Sequence, residues 1–164
     1  MKNSTPIIID IEASGFGADS YPIEIGLIDD KGNRYCSLIK PQPEWTHWSE
    51  SAEAVHGISR KEIETHGKDP REIAIEINRR LEGKTAYSDG WALDYPWLRK
   101  LFYAALKEPS FRFSPIEAIL TEAQIGIWDD TKQKIISTTT APRHRASTDA
   151  FIIQQTWLDS RAGL

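Results

Sequence analysis

The chain has 164 residues, 40% of them hydrophobic and 27% charged, with a formal net charge of −4 and one cysteine. That length builds one core of ordinary size, and no apolar run approaches the roughly 18 to 20 residues of a membrane helix, which argues against a second domain and against a membrane span. Lys2 precedes Ile7, Ile8 and Ile9, but Asp10 ends that run short of a signal-peptide core, and Cys36 has no partner for an internal disulfide; the expectation is a single domain over residues 1–164 in the cytoplasm.

The acid excess argues against a uniformly basic nucleic-acid surface. Its distribution is uneven, however: residues 1–94 hold 11 Lys and Arg against 17 Asp and Glu, whereas residues 95–164 hold 9 against 7, with Arg143 and Arg145 flanking His144. Two bound divalent ions would offset a charge of −4 outright.

Residues 6–12 read as a strand, and 22–30 and 33–40 as two more, joined at "DKGN", where Gly32 and Asn33 suit a tight hairpin turn. Cys36 lies in an apolar alternation from Tyr35 to Ile39 and is expected to pack inside. "SESAEAVHG" predicts a short helix closed by Gly57, and "SRKE" at 59–62 is a capping box that opens another. "DPRE" at 69–72 places Asp69 as cap and Pro70 at the first helical position, with Ile73, Ile77 and Leu81 forming a buried stripe before Gly83. "TAYSD" at 85–89 is a fourth strand, and after Asp94 the set Trp97, Leu98, Leu101, Phe102 and Ala105 has helical spacing. "FRFS" at 111–114 is a fifth strand, followed by "SPIE" as a capping box with Ser114 as cap, and the last helix spans 146–158. A meander followed by alternating strands and helices predicts an α/β domain whose mixed sheet carries helices on both faces.

Asp10 interrupts an isoleucine run, and Glu12 follows two residues later, so both carboxylates leave one face of a strand about 6.5 to 7 Å apart. An uncompensated carboxylate in such a strand costs several kcal/mol. Asp94, His144 and Asp149 are the other acid or imidazole groups in suggestive contexts; alone, Asp94 also fits a helix cap, Asp149 a solvated helix acid and His144 a surface histidine. Hard ions such as Mg²⁺ want carboxylate oxygens, and a pair about 3.5 to 4 Å apart can clamp a phosphodiester for in-line attack. An imidazole with an unperturbed pKa of about 6.5 suits a general base near neutral pH.

These stretches carry a resemblance. "DIEASG" at 10–15 resembles the first motif of the DEDDh exonucleases, "SDGWALDYPWL" at 88–98 the second, "HRASTDA" at 144–150 the His-x4-Asp third, and "HGIS" at 56–59 a stretch often found between the first two. The resemblance implies a ribonuclease H-like fold with a five-stranded mixed sheet and two divalent cations, Mg²⁺ or Mn²⁺, held by Asp10, Glu12, Asp94 and Asp149, with His144 as general base. The activity it implies is 3′→5′ removal of nucleoside 5′-monophosphates from single-stranded DNA or RNA. The second motif departs from the usual His-Asn-x-x-Phe-Asp: Asp89 and Gly90 replace the polar pair and Leu93 the phenylalanine. Asp89 is also a rival ligand to Asp94. In the family the backbone at Ala13, Ser14, Gly15 and Phe16 meets the terminal nucleotide.

Trp45, Trp48 and Trp91 lie in polar or loop contexts where a ring could stack on an unpaired base or pack in the fold, while Trp97 and Trp157 have apolar helical neighbours and read as core. Arg143 and Arg145 could hold a strand phosphate or be solvated. Two other readings stand beside the exonuclease: a ribonuclease H or resolvase-like endonuclease, which needs no histidine base, and a non-catalytic nucleic-acid-binding module. The resemblance also leaves room for a homodimer, which many family members form, and for a polymerase or other nucleic-acid-processing partner.

Overall fold

The computed structural model describes residues 4–162. Strands β1 (Ile7–Ala13), β2 (Pro22–Ile28) and β3 (Arg34–Leu38) form the antiparallel meander, with β4 (Thr85–Ser88) and β5 (Arg112–Pro115) added in parallel, giving the order β3-β2-β1-β4-β5. Helices α1 (Glu50–His56), α2 (Arg60–His66), α3 (Pro70–Leu81), α4 (Trp91–Ala104), α5 (Glu122–Thr138) and α6 (Ala146–Ala162) complete the chain. The strand period divides β1 between two cores. Ile7, Ile9 and Ile11 pack with Ile73, Ile77, Leu98 and Phe102 on one face, whereas Ile8 packs with Ala150, Ile153 and Trp157 of α6 on the other. Asp10 and Glu12 share the α6 face with Ile8. Five mixed strands with helices on both faces are the ribonuclease H-like architecture.

The early helices start and stop where local chemistry directs. Ser49 accepts from the Ala52 amide and Gly57 closes α1 at φ +70°, Ser59 and Glu62 form the capping box of α2, and Asp69 caps α3 ahead of Pro70. Gly32 turns the β2–β3 hairpin at φ +86°.

Four details correct the sequence expectations. Helix α4 begins at Trp91, so Asp94 lies in its first turn rather than ahead of it. Ser114 is no cap: it pairs with Tyr87 in the β4–β5 ladder, a 3-10 turn (Ile116–Ile119) follows, and the capping box there is Thr121 with Gln124, opening the 17-residue α5. Helix α6 runs one turn beyond Leu158. Cys36 is exposed, because β3 is an edge strand that alternates Cys36 with the buried Ser37. Among the described residues no helix is long and apolar enough to cross a membrane.

Candidate active site

The site forms where the parallel strands β1 and β4 end, the edge at which ligands of open α/β sheets collect. On β1, Asp10 lies opposite Gly26 of β2 and Glu12 opposite Glu24. Gly26 decides what can cover them: a β-carbon there would stand 2.4 Å from the Ser147 amide nitrogen and 2.5 Å from the Ala146 carbonyl carbon. Only a bare backbone lets the first turn of α6 descend onto the sheet, and Asp149 comes with it.

Glu24 anchors the same turn. Its carboxylate, 3% exposed, accepts from Arg145 Nη2 at 2.7 Å and from the Ala146 amide at 2.8 Å. That guanidinium also relieves the like-charge pair Glu12–Glu24 across the ladder.

Carboxylate oxygens of Asp10, Glu12 and Asp149 consequently lie within 4.8 Å of one another. Asp94 reaches the same cleft from α4, accepting from Ser88 Oγ at 2.5 Å. The cleft, about 340 Å³, is lined by Asp10, Glu12, Asp94, Asp149 and His144, with Phe16, Val55, His56, Leu93 and Trp97 on its apolar side. Burial, then the charges of Asp94, Glu12, Asp149 and Asp89, hold the Asp10 carboxyl well above its ordinary value. Burial and then Asp149, Glu24 and Asp94 push Glu12 up to about 8. Burial raises Asp94 to about 7, where the Ser88 hydrogen bond opposes it and Asp89 adds to it.

These donors fit a hard divalent cation. They are all carboxylate oxygens, they resist ionisation without a counter-charge, and Asp10 Oδ2 is buried with no hydrogen-bond partner.

His144 stands at the mouth, its side chain 48% exposed and its backbone left-handed at φ +58°, a strained setting for a residue with a β-carbon. Its amide donates to Asp149 Oδ1 at 3.2 Å, while its Nδ1 lies 4.0 Å from Oδ2, beyond a hydrogen bond. Arg143 Nε also donates to Asp149 Oδ1, at 3.0 Å.

The other predicted contacts divide. Ala13, Gly15 and the 72%-exposed Phe16 line the cleft. Ser14 is fully buried and binds structure instead, its Oγ accepting from the Tyr21 amide and meeting His47 Nδ1 at 3.0 Å. Arg145 is spent on Glu24. Trp91 stacks on Tyr95, ring centroids 4.8 Å apart, and donates Nε1 to the Phe113 carbonyl. Trp45 stacks on Tyr21 within the core, and Trp48 packs against that core with His56 at its ring edge. Trp97 and Trp157 are buried, as expected. Sequence reasoning missed Glu24, Gly26, Ser88, Val55 and Leu93; an isolated glycine inside "PIEIGLI" was the available signal for a close backbone approach.

Fold and acidic cleft define the class as a ribonuclease H-like α/β domain. No family model matches the chain, and no curated protein matches it. Solved structures do. The chain superposes on Pop2p of S. pombe, in its Mg²⁺- and Mn²⁺-bound form, with a TM-score of 0.65 at 14% identity, covering 98% of this chain and 84% of that one. It superposes on exonuclease I of Methylocaldum szegediense with a TM-score of 0.67 at 14% identity over 91% of this chain and 38% of that one. With E. coli exonuclease I in complex with a dA16 oligonucleotide the TM-score is 0.66 at 15% identity, over 93% and 40%. The chain thus spans less than half the length of the exonuclease I chains.

Proposed function

We propose that the protein is a metal-dependent 3′→5′ exonuclease that releases nucleoside 5′-monophosphates from the 3′ end of single-stranded DNA or RNA. The observation that carries this reading is the meeting of Asp10, Glu12 and Asp149 within 4.8 Å, beside Asp94 and His144 in one cleft, from three distant parts of the chain. The neighbours support it: one is a Mg²⁺- and Mn²⁺-bound form, and another, an exonuclease, is in complex with an oligonucleotide.

Asp10, Glu12, Asp94 and Asp149 would hold two Mg²⁺ or Mn²⁺ ions. When bound, the ions polarise the phosphate and make water a nucleophile near neutral pH. The protein's own groups do the rest. His144, half exposed and with no ring hydrogen bond among the described residues, accepts the proton of the attacking water. Arg143 is held by Nε on Asp149, which leaves its terminal amino groups to receive a phosphate oxygen. Phe16, Val55 and Leu93, 72%, 52% and 45% exposed, give a terminal base an apolar surface while the carboxylates hold the phosphate. Gly15 keeps the cleft wall packed on His47, where a β-carbon would meet His47 Cε1 at 2.5 Å. Ser14, Trp91 and Arg145 are engaged in the contacts within the fold described above.

The test offers 5′-labelled DNA and RNA oligonucleotides with Mg²⁺, Mn²⁺ or chelator. A ladder shortening one nucleotide at a time, abolished by chelator, is expected. Discrete internal cuts would establish an endonuclease; no cleavage with either ion would overturn the nuclease reading, and retention of the oligonucleotide without cleavage would favour a binding module.

A further inference from the structure

One acid beside the cleft is not accounted for by this chemistry. Asp89 sits between two residues that touch the site: Ser88, which donates to Asp94, and Gly90, whose absent β-carbon would lie 3.8 Å from Asp94 Oδ2. Its charge is felt by both Asp10 and Asp94. An acid so placed is a natural fifth ligand for a hard cation, and five carboxylates would hold such an ion too completely, leaving fewer positions for water and phosphate.

It is not free. Helix α5, which supplies none of the acids or the imidazole of the cleft, sends Lys132 to Asp89, with Nζ 2.6 Å from Oδ2. Both side chains are mostly covered, 27% and 19% exposed, so the pair is screened less than a surface contact. A lysine is a single charge on a flexible stem, and here that charge meets the acid of the β4–α4 turn.

We propose that Lys132 is a positioning residue that keeps Asp89 out of the metal site, so that the cleft offers ions four carboxylates and open positions instead of five. The inference rests on the metal-dependent reading above and adds a device that sets how tightly the ions are held. Removing the lysine leaves Asp89 both uncompensated and mobile, and each change increases the pull on a divalent cation. Removing Asp89 as well cancels both.

Calorimetric titration of the chelator-treated chain with Mn²⁺ alone tests it, on the unaltered protein, K132M, D89N and the double variant. K132M should bind Mn²⁺ about five- to tenfold more tightly, with kcat on an oligonucleotide lowered and KM unchanged. K132Q should behave as K132M does. In the D89N background the tightening should vanish. Unaltered Mn²⁺ affinity in both K132M and K132Q would overturn the inference and make the bridge a strut between α5 and the β4–α4 turn. Equal tightening with and without D89N would overturn it too, because Lys132 would then act on the ions directly. Absence of Mn²⁺ binding by the unaltered protein would overturn the metal reading itself, which separates the two failures.

Discussion

Arg145 and Glu24, 121 residues apart, form a bidentate pair in which Nε and Nη2 face the two carboxylate oxygens at 2.7 to 3.2 Å. The pair sets where α6 begins, and therefore where His144 and Asp149 stand. Arg145→Ala leaves a carboxylate that is 4% exposed with only the Ala146 amide for a partner. Loss of a partner from a fully buried pair costs about 3 to 5 kcal/mol; because the Arg145 side chain is 40% exposed, the expected loss is about 2 to 3 kcal/mol. Urea unfolding measures it. Cleavage should fall further than stability accounts for, since the loop carrying His144 loses its anchor; an active variant with unchanged midpoint would refute the role.

Gly26 makes the complementary prediction, because its neighbours are backbone and cannot swing aside. With 2.4 Å to the Ser147 nitrogen, Gly26→Ala must lift the first turn of α6 off β2. The expected cost is about 3 kcal/mol, the upper end for an overpacked core. Activity should drop with it as Asp149 leaves Asp10 and Glu12. A thermal melt beside a cleavage assay decides this, and a neutral substitution would show that α6 does not sit as described.

How much of this could be read from the sequence follows the range of each interaction. Ser49, Ser59, Asp69, Gly32 and Gly57 act on backbone within four residues, so their caps and turns are visible in the string. The Asp10–Glu12 pair is visible for the same reason, as a break in a period of two. Ser114 shows the limit: its capping signature is genuine, but pairing with Tyr87 overrides it, and partners across a sheet leave no local trace. Cys36 shows another, since alternation tells which face a side chain takes and not whether anything covers that face. Arg143 and Arg145 look alike in sequence, yet one meets Asp149 and the other Glu24.

The raised carboxyls make stability depend on pH and metal together. Glu12 titrates at about 8 against 4.5 unperturbed, and Asp94 at about 7 against 3.8. Between those limits the folded protein holds protons that the unfolded chain has released, so stability is full below about pH 4 in this respect and falls as pH rises through 7 to 8. Chelated protein should therefore melt at a lower temperature at pH 8.5 than at pH 5.5, to the extent that these groups dominate. Added Mg²⁺ should raise the melt at pH 8.5 and do little at pH 5.5, where protons compete for the same oxygens. Asp10→Asn should raise the melt of the chelated protein at pH 8.5 while abolishing the Mg²⁺ effect and cleavage. A pH-independent melt with no response to Mg²⁺ would refute the shared site.

His144 gives the sharpest separation of chemistry from structure. Its ring is half exposed and makes no hydrogen bond among the described residues, so His144→Ala removes little packing and should leave the melt within about 0.5 kcal/mol. Loss of a general base lowers turnover by about 10² to 10⁴. Metal binding should persist, because the Asp149 carboxylate is still held by Arg143 and by the backbone amide at position 144. The positive φ at that position adds a control: His144→Asn tolerates the left-handed backbone and keeps a polar side chain but offers no base at neutral pH. Both variants should therefore lose turnover alike. Full activity in His144→Asn with loss in His144→Ala would assign the residue to loop conformation and leave the proton to another acceptor.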